Sequence, residues 1–144
     1  MKLLDANVLL YAFDSSAAHH APCREWLEQA FQDDELIGLP WQTTLAFIRI
    51  STNPRAVRTP IAMADATEIV ATLLSRPQSI VVEAGEQFWP IFRRLTENGR
   101  VSGPLVTDAV LAALSLENGA TLCSTDRDFR RFDGLRLFDP SASR

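Results

Sequence analysis

The sequence predicts one α/β domain in which a short parallel sheet of four to five strands carries helices on both faces. Three observations predict it. Short apolar runs alternate with segments of helical apolar spacing along the whole chain, the signature of strand-helix units and of a parallel sheet buried on both sides. The chain has 144 residues, of which 47% are hydrophobic and 22% charged, enough for one soluble core and too few for several domains. No repeat, linker or low-complexity segment divides it, so the domain is expected over residues 1–140, with a short polar tail over 141–144.

The elements follow in order. Lys2 to Leu4 reads as a strand leading into Asp5, and Ala6 to Phe13 as the helix after it, with Val8, Leu9 and Ala12 apolar. Ala21 to about Gln32 is an amphipathic helix through Trp26, Leu27, Ala30 and Phe31, stopped at Asp33-Asp34. Leu36 to Leu39 is a brief strand closed by Pro40, and Thr44 to Ser51 returns to helical spacing before Asn53-Pro54. Ile61 to Ser75 is helical and ends at Pro77; Ser79 to Val82 is a β-branched strand. Gly85 to Thr96 places Phe88, Ile91, Phe92 and Leu95 on one face and ends at Asn98-Gly99; Leu105 to Asn118 is an alanine-rich helix ended by Asn118-Gly119. Thr121 to Ser124 and Arg136 to Phe138 are the last strands.

Composition excludes several function classes. The formal net charge is -4, so no global positive field draws in nucleic acid and any contact with it must be local. No apolar run is long enough to span a membrane and no secretory signal pattern opens the chain, so a cytoplasmic protein is expected. Cys23 and Cys123 are isolated and read as small buried hydrophobes. Lys2 is the one lysine beside 13 arginines; arginine suits phosphate, but genomic base composition produces the same bias. His19 and His20 are neighbours, diverge by about 100° on a helix, and read as solvated.

Ligands of an open parallel sheet bind outside the carboxyl ends of its strands. Asp5 ends the first strand, Asp126 and Asp128 follow the fourth, and Asp108 lies in the first turn of the helix leading into that strand. Each has an ordinary reading too. Asp5 can cap the helix after it, with Asn7 serving the same turn; Asp108 can complement a helix dipole; Asp126 and Asp128 can make an Asx turn. Convergence argues for chemistry, because clustered carboxylates resist full ionisation unless a cation sits among them. Oxygen ligands without histidine or cysteine favour Mg²⁺ or Mn²⁺. Competing motifs are absent: six glycines form no dinucleotide or P-loop cradle, a receiver domain needs a lysine near the last strand, and the aspartate pair of dehalogenase-like phosphatases has Asn7 as its second member here.

Leu4-Asp5-Ala6-Asn7-Val8-Leu9-Leu10-Tyr11-Ala12, Thr107-Asp108-Ala109 and Ser124-Thr125-Asp126-Arg127-Asp128-Phe129 together resemble the PIN-domain ribonucleases, specifically the VapC toxins. Phe47 to Arg55 resembles one branch of them. The resemblance implies a metal-dependent endoribonuclease using Mg²⁺ or Mn²⁺, a homodimer, and a cognate VapB-type antitoxin. Position by position it makes Asp5, Asp108 and Asp126 metal-binding acids, with Asp128 a less regular fourth. Asn7 and Thr125 would support them by hydrogen bonds, and Arg49, Arg100 and Arg127 are candidate contacts to RNA phosphates. One departure stands out: the family commonly has a glutamate where this chain has Ala46-Phe47-Ile48, and no acid occurs between Glu35 and Asp65. The rival expectations are an RNA-processing PIN nuclease without an antitoxin and a catalytically inactive PIN-like binding module.

Overall fold

A computed structural model describes residues 1–142. Five strands, β1 (Lys2–Leu4), β2 (Ile37–Gly38), β3 (Ser79–Ile80), β4 (Thr121–Cys123) and β5 (Arg136–Phe138), form one sheet in the order β3-β2-β1-β4-β5. All neighbours are parallel; Leu3 pairs with Gly38 on one side and Leu122 on the other. The expected class is therefore observed, with five strands. Among the described residues no helix is long and apolar enough to cross a membrane.

Alternation along β1 divides the core in two. Leu4 points to one face and packs with Leu9, Leu27, Phe47 and Val70 from α1 (Ala6–Phe13), α2 (His20–Ala30), α3 (Trp41–Ser51) and α4 (Met63–Leu74). Leu3 points to the other and packs with Leu95 and Ala112 from α5 (Phe88–Asn98) and α6 (Leu105–Glu117), together with Leu122 and Phe129. Small alanines on α6 let that helix lie close against the sheet.

Several boundaries differ from the sequence expectation, each for a local reason. α3 starts at Trp41 rather than Thr44, because the Pro40 carbonyl accepts the first helical amides, from Thr43 and Thr44 at 3.0 and 3.2 Å. Exposed Trp41 and Gln42 carry no apolar period to reveal this turn. The strand expected over Leu36 to Leu39 contracts to Ile37–Gly38. Gly38 is required there, since a Cβ would meet Val82 Cγ2 at 2.9 Å. α5 begins at Phe88 because the Glu117 carboxylate takes the amides of Gly85 and Gln87 at 2.9 and 3.0 Å, holding them outside the helix. The segment after Asp126 forms a 3₁₀ helix, Arg127–Arg131, capped where the Asp126 carboxylate accepts the Asp128 amide at 2.8 Å.

The two Asn-Gly endings behave differently. After α6, Gly119 takes the left-handed conformation at φ 60°. After α5, Gly99 stays helical at φ -85° and Arg100 takes the left-handed one at φ 52°. Cys23 and Cys123 are buried free thiols, as expected, and burial pushes them up to about 11 and about 12. The two histidines are not both solvated: His20 is half-buried with Nδ1 2.8 Å from the Tyr11 carbonyl, while exposed His19 meets the Tyr11 ring edge. Of the expected tail, Ser141 and Ala142 belong to a 3₁₀ turn with Pro140, and 143–144 lie outside the described residues.

Candidate active site

The strand order reverses beside β1: the chain moves outward from it to β2 and β3, then returns to its other side for β4 and β5. Such a switch point opens a crevice outside the carboxyl ends of the two central strands. Asp5 is the first residue beyond β1, and its amide donates to the Cys123 carbonyl at 3.0 Å, tying the two strand ends together. Its extended backbone (φ -85°, ψ 151°) places it at the N-cap of α1, yet its side chain closes no capping hydrogen bond. The carboxylate is engaged across the crevice instead: Ser124 Oγ donates to Asp5 Oδ2 at 2.7 Å.

Ser124 is buried and sits at the centre of the site. Its hydroxyl also accepts from Asn7 Nδ2 at 3.2 Å and from the Asp126 amide at 3.0 Å, and Asn7 Oδ1 accepts the Thr125 amide at 3.4 Å. Asp5, Asn7, Ser124, Thr125 and Asp126 thus form one network joining the first turn of α1 to the loop after β4. Thr125 enters it through its backbone. Ser124 was not among the sequence candidates; its signal was its position, a small hydroxyl directly after β4 and two residues before an acid.

Asp108 faces the same crevice from the first turn of α6. Burial, followed by the charges of Asp126, Asp5 and Asp128, pushes its carboxyl up to about 6, with the Arg131 guanidinium working against them. Burial also raises Asp5, outweighing the Ser124 hydroxyl and the amides of Ala6 and Asn7. Asp128 stands at the rim with its side chain 60% exposed, 3.9 Å from Arg131 Nη2. The four acids share one field. Among the described residues, however, no three acidic, histidine or cysteine side chains are gathered into a ready ligand set.

The arginines separate. Arg127 opens the 3₁₀ helix and Arg100 turns the corner after α5, both exposed. Arg49 lies in the last turn of α3, about 12 Å along that helix from Trp41 at 1.5 Å per residue. Arg131, which the sequence did not single out, is the guanidinium whose charge reaches Asp108. α3 approaches this end of the sheet with a hydroxyl rather than an acid, Thr43 Oγ1 donating to the Leu4 carbonyl at 2.6 Å. Phe47, one turn on, is buried in the core with its ring 5.8 Å from that of Phe13. It does not face the crevice, and Phe47→Glu cannot restore a family ligand from there. A cavity of about 330 Å³ lies elsewhere, lined by Tyr11, Phe13, Phe47, Val57 and Ile61 among others.

The PIN domain family profile matches residues 2–135. The chain belongs to the PIN-domain family. This PIN domain is 41% identical to "VapC ribonuclease Mb2897" of Mycobacterium bovis, over 97% of this chain and 95% of that one. To "Ribonuclease VapC37" of Mycobacterium tuberculosis it is 37% identical, over 99% of each. Its fold matches that of the complex described as FitAB bound to IR36 DNA fragment, with TM-score 0.70, 16% identity and coverage of 98% and 96%. It also matches VapBC2 from Rickettsia felis bound to a promoter DNA fragment, with TM-score 0.68, 18% identity and coverage of 96% and 97%. At those identities the structures speak for the fold.

Proposed function

We propose that this PIN domain is a metal-dependent endoribonuclease toxin, restrained by a cognate VapB-type antitoxin. The observation that carries it is the field that Asp5, Asp108 and Asp126 share at the switch point, where burial and mutual charge raise Asp5 and Asp108. Groups in that state gain most from a cation between them. The donor set, carboxylate oxygens without histidine or cysteine, fits Mg²⁺ or Mn²⁺. Asp5, Asp108 and Asp126 would hold it, with Asp128 at the rim. When bound, such an ion lowers the pKa of a water and offsets charge on a phosphodiester.

The chain's own groups prepare the site. Ser124 fixes one Asp5 oxygen, and the amides of Ala6 and Asn7 also act on this carboxylate; Asn7 and the Thr125 amide hold the loop that carries Asp126. The product-forming step is hydrolysis: water adds to phosphorus, the bond to the leaving sugar oxygen breaks, and that oxygen takes a proton.

The named VapC relatives are ribonucleases, and a solved neighbour is a toxin-antitoxin complex from Klebsiella pneumoniae; this supports both the RNA substrate and the antitoxin. An antitoxin arginine paired with the crevice carboxylates would silence the site. A homodimer is part of the proposal, supported by Trp89 of α5, 63% exposed and stacked on half-buried Phe92. The lack of an acid on α3, where the family commonly has a glutamate, favours the inactive binding module as the second reading.

Purified protein incubated with single-stranded RNA and Mn²⁺, with EDTA as control, decides between them. We expect cleavage that EDTA stops and that Asp5→Asn or Asp108→Asn abolishes while the variants stay folded by circular dichroism. Retained cleavage in either folded variant overturns the assignment.

A further inference from the structure

The carboxylate crevice presents a physical problem to the substrate proposed above. RNA is a polyanion, the chain carries a net charge of -4, and at the crevice Asp5, Asp126 and Asp128 already act on Asp108. A fixed cation at its rim would solve this, and one is in place. We propose that Arg131 is a phosphate-binding residue of this site, positioned to grip a non-bridging oxygen of the RNA backbone beside Asp108 and Asp128. The proposal rests on the ribonuclease reading.

Arg131 closes the 3₁₀ helix that follows Asp126. Its Nε donates to the Asp128 carbonyl at 3.1 Å, and its Nη1 donates to the Gly99 carbonyl at 3.4 Å, at the end of α5. These two contacts, from different elements, set the plane of the guanidinium. Both acceptors are neutral backbone oxygens, and the guanidinium's ion pair with Asp128 is long and carries no hydrogen bond. Nη2 lies 3.9 Å from Asp128 Oδ1, beyond hydrogen-bond reach, with the arginine side chain 31% exposed. Of five guanidinium N–H groups, two are used by those carbonyls and the Nη2 pair stays open to an incoming acceptor.

Other arginines near the surface are arranged differently. Arg24 and Arg93 are neutralised within their own helices by Glu28 and Glu97, at 2.6 and 3.3 Å. Arg131 is held by carbonyls and spends its charge on the crevice, where it opposes the three acids that act on Asp108. A planar, pre-oriented fork loses little entropy on binding phosphate. The Gly99 contact falls beside the sharp turn where Arg100 takes the left-handed conformation.

A purely structural brace between α5 and the 3₁₀ helix would use the same two hydrogen bonds, so the test must read phosphate contact rather than stability. Binding of a fluorescein-labelled single-stranded RNA is measured by anisotropy between 50 and 200 mM KCl with Mg²⁺ present, in an Asp5→Asn background that prevents cutting. We expect Arg131→Ala to weaken binding about tenfold, the scale of one charge-assisted hydrogen bond. The slope of log affinity against log salt should fall by about 0.7, the loss of one phosphate contact on a single strand. Arg131→Lys should recover the slope but only part of the affinity. Equal affinity and slope in the alanine variant, with a lowered melting temperature, make Arg131 a brace and overturn the proposal. Should Arg131→Ala not fold, Arg131→Gln, which removes the charge but keeps an amide donor, carries the same comparison. Cleavage by the unaltered chain, run in parallel, tests the ribonuclease reading separately: its failure with a normal Arg131 slope would leave an RNA-binding module.

Discussion

At Asp108, burial and three neighbouring acids act in one direction, raising its carboxyl to about 6 against an ordinary 3.8. A proton is therefore held more tightly by the folded protein than by the unfolded chain. The stability this supplies is complete below about pH 4 and is lost as pH rises through about 6. Urea unfolding of EDTA-treated protein should show wild type losing stability over this range relative to Asp108→Asn, whose side chain does not titrate; parallel pH profiles would refute the raised carboxyl. The acids were legible in the sequence because carboxylates placed just after strands are a chemical signal in their own right. Ser124 and Arg131 were not. Ser124 shows in the sequence only as a small hydroxyl after a strand, and one arginine among 13 carries no spacing signal; the pairing of β4 with β1 and the reach of Arg131 to the end of α5 supply their partners.

Element by element, the pattern located every α-helix and strand but neither 3₁₀ helix, and it failed at ends governed by polar contacts. The Glu117 carboxylate that holds Gly85 and Gln87 is 30 residues from Gln87 in sequence, so no local pattern announces it. α3 shows the limit most sharply. Reading along a family resemblance puts Phe47 where a ligand glutamate is common, yet Thr43 and Phe47, one turn apart on the same helical side, serve different ends. Thr43 reaches the Leu4 carbonyl at the rim of the sheet, and Phe47 fills the core behind it. Phe47→Glu should consequently bury an unpaired charge and yield no folded protein, and Phe47→Ala should cost about 3–5 kcal/mol in urea denaturation. A stable Phe47→Glu protein with tightened metal binding would put this side chain in the crevice after all.

For the molecule as a whole, function follows from one topological fact. Because the chain builds outward from β1 in one direction and then returns to add β4 and β5 in the other, the ends of β1 and β4 become neighbours, and residues more than 100 positions apart share a hydrogen-bond network. An acidic protein can then act on RNA through a small region in which one fixed guanidinium and a bound cation would offset four carboxylates. The alternation of strands and helices made the class legible; the sheet order, which brings Asp5, Asp126 and Asp108 within one electrostatic field, depends on crossover connections that no local pattern reports. These carboxylates would then form a metal site. Calorimetric titration of Mn²⁺ into the wild-type protein and into folded Asp108→Asn tests it most directly. We expect one ion to bind the wild type, raising its melting temperature, with affinity lost or reduced at least tenfold in the variant, as charge count sets affinity for hard cations. No heat of binding to the wild type, or equal affinity in the two proteins, would contradict it.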